Sequence, residues 1–448
     1  PQVGDATLEL RNLNTDESIT VDRVSRYSFS ANGQYVAAEV KPAYLVEREL
    51  KLKKTTATKM PKDSLYIINL NSGDIKKVAR VKNFQLPGES EEWMAWVHEM
   101  PLKETKKKEE AVEEKEEPVV EGRKSKRKKK KKEEPKEETP EPVEPEDPRA
   151  KSKGTELVLY NLKTGESKSI TGVMEYSLTE KGNHLFFEYD KVDSLNESGI
   201  HAINTANGEM TTLNEGMIEY KKMSTDEEGN QIAFFATANT KDDDHKYFSL
   251  MHWSAGKASA TIVADTTTAG VPENWMVSDN SNIRFSESGK RVYFGTAPRP
   301  FEYAYEADTT LLKDDRPDVD VWSYNDPYIQ PMQKLQAGRE KNRSFDVMLD
   351  TQTGKLVQLA GPDLESVTID TRNDRDFVLA MNDQPYRTQM TWDTQIPRDF
   401  YKISTSTGDA ELLIKGAKGF PSLSPAGNYL TWHNIEDGHW YMMNVASG

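Results

Sequence analysis

Apolar and polar residues alternate along this chain in short runs, and each run follows a tight turn that ends in Gly. The clearest copies are Ser30-Ala-Asn-Gly33 before Val36 and Ala38, Thr179-Glu-Lys-Gly182 before Leu185 and Phe187, and Asp226-Glu-Glu-Gly229 before Ile232 and Phe234. Ser286-Glu-Ser-Gly289 before Val292 and Phe294, and Ser424-Pro-Ala-Gly427 before Leu430 and Trp432, repeat the pattern. Two copies are worn: one has Asp374 in the Gly place before Phe377 and Leu379, and the other is the Gly88 to Val97 stretch with Trp93, Ala95 and Val97. Gly takes the left-handed corner that closes the turn, and the two-residue period then places one face of a strand in a core.

A second series of turns interleaves with the first. It runs Asn12 to Asp16, Asn69 to Gly73, Asn161 to Gly165, Asn204 to Gly208, Trp253 to Gly256, Asp350 to Gly354, Ser404 to Gly408 and Asn444 to Gly448. Uninterrupted Gly-to-Gly steps in it are 43, 48, 54 and 40 residues, and a four-stranded propeller blade takes roughly 40 to 50 residues. The expectation is an all-β chain forming one β-propeller domain over residues 1–448, built of four-stranded antiparallel blades. Seven blades are counted, with eight as the alternative. An antiparallel sandwich also has Gly turns, but lacks two turn types alternating at a longer period.

Two steps are a blade too long. The first contains residues 102–154, a Lys/Glu/Pro insertion with almost nothing to bury, which its composition predicts to be disordered and dispensable. Within it Arg123 to Lys132 holds nine basic residues in ten. That run reads as a polyanion patch or as a solvated loop neutralised by its acidic flanks, and the near balance of charge favours the second. The other excess, residues 298–346, is rich in aromatics: Phe301, Tyr303, Tyr305, Trp322, Tyr324 and Tyr328. Within it 318–322 is expected to be a short strand and 326–333 an extended, turn-rich piece. Ordered long loops are commonly functional, so it is either a binding surface or a cap on the core.

Composition narrows the chemistry. The chain has 448 residues and no Cys, which excludes disulfides and a Cys nucleophile. No run reaches the roughly 18 apolar residues of a membrane span. The net charge is −15, and −17 outside residues 103–153, which argues against general nucleic-acid binding. No Gly-x-Ser-x-Gly elbow, phosphate-cradling Gly loop or His-Glu-x-x-His is present. Asp242-Asp-Asp-His245 lacks the spacing of a calcium loop, so neither a metal nor a cofactor is expected.

These residues resemble the N-terminal propeller of the prolyl oligopeptidase family of serine peptidases (S9), especially its large exported bacterial members. The likeness covers essentially the whole chain. It is most specific at Asp318-Val-Asp-Val-Trp-Ser-Tyr-Asn-Asp-Pro-Tyr-Ile-Gln-Pro-Met-Gln333, with support from 392–401 and 294–298. The resemblance implies a ring that restricts which peptides reach an α/β-hydrolase domain carrying the catalytic Ser, Asp and His. That domain would lie beyond Gly448, so no catalytic residue is expected in this chain, which would be a fragment of an exported, periplasmic enzyme. The expected partners are a peptide substrate and the chain's own hydrolase domain. Trp322, Asp326, Gln330 and Gln333 are the candidate contacts with either one. A free-standing protein-binding propeller and a propeller glycosidase are the competing classes; the latter needs carboxylates converging on the ring's mouth.

Overall fold

The computed structural model describes residues 6–56, 59–100, 154–190, 198–240, 243, 245–300, 321–372 and 374–448. The 102–154 insertion, apart from Gly154, lies outside them, as do Asp242 and Asp244. A hairpin of β1 (Thr7–Arg11) and β2 (Ser18–Asp22) comes first, then a series of antiparallel meanders in strict chain order. The first blade is β3 (Val24–Phe29), β4 (Tyr35–Val40), β5 (Ser64–Asn69) and β6 (Ile75–Ala79), with helix α1 (Tyr44–Leu52) between its second and third strands. The second is β7 (Val81–Gln85), β8 (Trp93–His98), β9 (Thr155–Asn161) and the first half of β10 (Ser167–Leu178). β10 turns at Gly172, where φ is 86°, and its second half opens the third blade with β11 (His184–Tyr189), β12 (Gly199–Asn204) and β13 (Met210–Glu215).

The fourth blade is β14 (Glu219–Thr225), β15 (Gln231–Thr237), β16 (Ser249–Ser254) and β17 (Thr261–Ala264). In the fifth, β18 (Trp275–Val277) and β19 (Arg284–Phe285) share one edge of β20 (Arg291–Pro298), and β21 (Phe345–Asp350) and β22 (Leu356–Gln358) complete it. Helix α2 (Gln330–Lys341) precedes β21. The sixth blade is β23 (Ser366–Thr368), β24 (Phe377–Asn382), β25 (Arg398–Ser404) and β26 (Ala410–Ala417). The last sheet is β27 (Ser422–Leu423), β28 (Tyr429–His433) and β29 (Trp440–Asn444). Sequential four-stranded meanders packed face to face are the architecture of a β-propeller.

Both turn series work as the residues require. In the first, a side chain at the start of the turn accepts a hydrogen bond from the backbone five residues on: Ser30 Oγ from Tyr35 N at 3.0 Å, Asp226 Oδ1 from Gln231 N at 2.8 Å, and Ser424 Oγ from Tyr429 N at 3.1 Å. Gly33, Gly182, Gly229, Gly289 and Gly427 all have φ between 63° and 76°. In the second, an Asn or Asp side chain caps its own turn, as Asn69 Oδ1 does for Asn71 N at 2.9 Å, before the left-handed Gly73.

The two worn copies are shifted in register from the sequence expectation. Elsewhere the residue after the turn Gly gives its carbonyl to the third-strand turn of the same blade, as Asn183 does to Thr205 N and Asn230 to Ala255 N. In the sixth blade that carbonyl belongs to Asp376 and in the second to Glu92. Arg375 and Glu91 therefore stand in the Gly place, and the strand positions equivalent to Ile232 and Phe234 are Val378 and Ala380, and Met94 and Trp96. Both faces of these strands are apolar, so alternation alone could not fix their phase.

The core lies between blades. Phe186, Ala202 and Leu213 of the third blade meet Ile232, Phe234, Met251 and Trp253 of the fourth. Ala233, Phe235 and Leu250 of the fourth meet Val292, Phe294, Val347 and Leu349 of the fifth. Each strand therefore contributes one face to each neighbour, which is why alternate positions are both buried. Side chains two residues past the turn Gly tie consecutive blades: His184 Nδ1 donates to Gly229 O at 2.9 Å, Gln231 Nε2 to Gly289 O at 2.9 Å, and Arg291 to Arg375 O.

Candidate functional site

In a meander the first-to-second and third-to-fourth turns share one end, and the second-to-third loops share the other with the crossings between blades. Both Gly turn series therefore fall at one end. The opposite end carries every long connection: 41–63 with α1, 99–154, 190–198, 238–248, 299–344 with α2, and 383–397 with a 3-10 helix, Gln384–Thr391. The bases of four of them are pinned to a corner where the chain enters the blade. Lys41 N donates to Arg23 O and Glu99 N to Arg80 O at 2.8 Å, Asp190 N to Gly172 O at 2.9 Å, and Arg299 N to Asn274 O at 2.8 Å. Arg23, Arg80 and Asn274 hold φ of 63°, 58° and 60°, a left-handed conformation costly for side chains other than Gly. Rigid corners thus support variable loops, the usual arrangement for a binding surface.

In the described part of the fifth blade's excursion, 321–343, side chains brace the backbone. Asp326 Oδ2 accepts from Ser323 N and Gln333 Nε2, both at 3.0 Å, and Gln333 Nε2 also donates to Tyr328 O at 2.8 Å. Hydrogen bonding from the Ser323 backbone, with help from Gln333, holds the Asp326 carboxyl below the usual range. Two of the four sequence candidates, Asp326 and Gln333, are therefore brought together as an internal brace. Trp322 lies half-buried, with Lys334 Nζ 5.9 Å from its ring, and its buried Nε1 has no acceptor among the described residues. Gln330 sits exposed at the first position of α2.

Secondary structure here departs from expectation. Residues 326–333 are not extended throughout, because α2 begins at Gln330. Pro331 in the first turn costs the helix no internal hydrogen bond, and the following Met-Gln-Lys-Leu-Gln-Ala are good helix formers. Val321 and Trp322 form no strand; 318–320, with Phe301, Tyr303 and Tyr305, lie outside the described residues. Of the described aromatics, Tyr324 is 95% exposed, like its neighbours Val321 and Leu335, whereas Trp322 and Tyr328 are half-buried.

A charge network that sequence reading missed ties this excursion to the sixth blade. Arg387 pairs with Glu365 at 2.6 Å and Asp383 at 2.8 Å, Arg343 with Glu365 at 3.1 Å and Glu340 at 2.6 Å, and the Arg387 guanidinium lies 5.2 Å from the Tyr328 ring centre. Burial alone would lower the Arg387 pKa, yet Glu365 and Asp383 raise it. Burial pushes the Tyr328 phenol up. The members come from three separate loops, so no sequence window contains them.

At the opposite, tight-turn end the first strands of the third to sixth blades surround a cavity of about 660 Å³ whose lining includes Glu180, Glu227, Glu287 and Arg372. Glu180 and Glu227 are the second residues of their turns, as is Glu287, so the repeat itself places carboxylates there. Among the described residues no group of His, Asp and Glu could hold a metal ion, no His ring is hydrogen-bonded to a Ser hydroxyl, and no helix is long and apolar enough to cross a membrane. The described residues of the long-loop end offer area, aromatic faces and amide groups.

No protein-family model and no curated protein matches the chain. Among solved structures it is similar to the β-propeller domain of the trilobed protease from Pyrococcus furiosus, at 10% identity and a TM-score of 0.38 over 95% of this chain and 98% of that one. It is similar to the acylaminoacyl peptidase of Pyrococcus horikoshii, at 11% identity and 0.33, over 96% of this chain and 53% of that one. A eukaryotic initiation factor scores 0.43 at 9% identity, with 98% of this chain and 83% of that one covered. The chain thus spans about half the length of the acylaminoacyl peptidase.

Proposed function

We propose that this chain is the substrate-gating and substrate-binding propeller of an exported serine peptidase of the prolyl oligopeptidase type. Its long-loop end faces the hydrolase domain, and 321–341 is a contact with that domain or with the peptide. The observation that supports this reading most is the one-sided placement of the excursions, with 321–333, the described part of the resemblance, at an exposed, braced tip. Aromatic and amide groups supply area and hydrogen bonds there without burying an unpaired charge. Asp326 and Gln333 shape the tip, and Trp322 and Gln330 are its contact residues. The same exposed apolar tip also favours a second reading, a protein-binding module without a catalytic partner.

The test is kinetic. In the full-length peptidase, Trp322→Ala and Gln330→Ala together should raise KM for peptide substrates several-fold while leaving the melting temperature within about 2 °C, as expected for surface positions. Unchanged kinetics would remove the gating role. A full-length natural protein with no fluorophosphonate-reactive serine would leave the binding-module reading in its place.

A further inference from the structure

The blades are held together by apolar faces, but one piece of the fold is held by charge. Helix α2 has no buried residue, and of its apolar side chains only Met332 is half-buried; Leu335 is 86% exposed. A helix of 12 residues is marginal in water unless something packs against it. Its start adds little, since Ile329 in the capping position makes no side-chain hydrogen bond to it. What the structure offers instead lies at the two ends of the helix.

Both ends reach the same ion pair. Arg387 and Glu365 of the sixth blade meet at 2.6 Å with side chains only 12% and 17% exposed, and Asp383, 2.8 Å from Arg387 Nε, fixes the guanidinium as well. Before α2, the Tyr328 ring centre lies 5.2 Å from that guanidinium. After α2, Arg343 pairs with Glu365 at 3.1 Å while holding Glu340, in the last turn of the helix, at 2.6 Å. Between these clips Gln333 Nε2 donates to Asp326 Oδ2 and to Tyr328 O, so the loop and the first turn of the helix form one braced body. The ion pair belongs to the sixth blade and the clipped body to the fifth. One residue beyond Arg343 and Ser344 the chain is packed again, at the buried Phe345 of β21.

We propose that 321–343 is a hinged arm clipped to the sixth blade by charge. While Arg343 bridges Glu340 and Glu365 the arm keeps one pose; when that bridge is lost it opens as a unit about Arg343 and Ser344, and the fifth blade stays folded. Opening of this kind costs least where few apolar contacts have to be broken, which is the situation of α2. Trp322 and Gln330 ride on the arm, so opening withdraws both from their fixed place at the long-loop end. That consequence rests on the binding role proposed above; the clip itself does not.

Hydrogen exchange on the protein and on its Arg343→Gln variant tests the arm directly, because Gln keeps much of the side chain but not its charge. Amides of 330–341 should exchange at least about ten-fold faster in the variant, the effect expected for a half-buried pair, while those of β20 and β21 keep their rates. Arg343→Lys, which retains the charge, should stay closer to the unaltered chain than to the Gln variant. Equal rates over 330–341 in the unaltered chain and Arg343→Gln would overturn the proposal, since charge would then not hold the arm. Faster exchange in β20 and β21 as well would overturn it by making the segment part of the blade, and a Lys variant that matches Gln would do so by making shape the tie. Any of these failures leaves the kinetic test of Trp322 and Gln330 standing, so the two readings fall separately.

Discussion

The two ends of the blades obey different rules. At the tight-turn end the same short sequences recur, and three of them are stapled to the next blade through a carbonyl, as His184 is to Gly229 and Gln231 to Gly289. At the long-loop end only the corners repeat, and what rises from them differs in length, charge and conformation from blade to blade. Repetition marks where the chain must satisfy its own backbone, and departure from repetition marks where it has surface to spend on something else.

The largest expected effect lies in glycine, where it separates the two turn series of the tight-turn end. Gly229 has φ 71°, and a Cβ there would meet Asn183 Oδ1 and the Thr179 side chain inside van der Waals contact. Gly73 has nearly the same φ, 77°, with nothing within 4 Å. Gly73→Ala should cost about 1 kcal/mol, the conformational penalty alone. Gly229→Ala adds the clash and the loss of the blade-to-blade staple, for about 3 kcal/mol or more. Urea unfolding decides it, and equal losses would mean that the staples do not set the rigidity of that end.

Acid should act on the packed blades before it acts on the loops. Burial lowers the His252 pKa to about 4, the nearby Lys257 adding to the effect, while its Nε2 donates to Gln231 Oε1 at 2.9 Å. Burial lowers His184 and His201 in the same direction. A His whose folded pKa lies below its unfolded value near 6.5 stays neutral in the fold while the unfolded chain takes up protons. Its contribution is therefore full above that value and is lost as pH falls from about 6.5 to about 4. For His252 alone the loss is about 3 kcal/mol at the end of that window. Chemical denaturation at pH 7 and pH 4.5 should show it, and His252→Gln, which keeps a donor but does not titrate, should flatten the slope. An unchanged slope would assign the acid sensitivity to other groups.

How much of this was legible follows from where information sits in a chain. The blade repeat is written locally, since a cap residue, a Gly and two alternating apolar residues occupy fewer than ten positions, and five of the seven copies read in register. The two worn copies were read out of register because Phe377 and Val378, or Trp93 and Met94, are apolar on both faces. The site was half legible: Asp326 and Gln333 lie seven residues apart and do meet, whereas Arg343, Glu365 and Arg387 come from three loops and meet only in space. Helix α2 was hidden by Pro327 and Pro331, which read as breakers although the second sits where a helix tolerates it best.

The smallest effects belong to the tips of the long loops, and they sharpen the comparison by their size. Tyr324 and Leu335 make almost no contact with the rest of the chain, so Tyr324→Ser and Leu335→Ser should each change stability by less than about 0.5 kcal/mol. Arg387→Met, only a few ångströms beneath that tip, leaves Glu365 and Asp383 partly buried with less compensation and should cost about 2 kcal/mol. Such a step from nearly nothing to a clear loss, measured by thermal unfolding of the three variants, is what a rigid base under an expendable tip requires. If the serine variants destabilised as much as Arg387→Met, the tip would be core, and the long-loop end would be packing rather than surface.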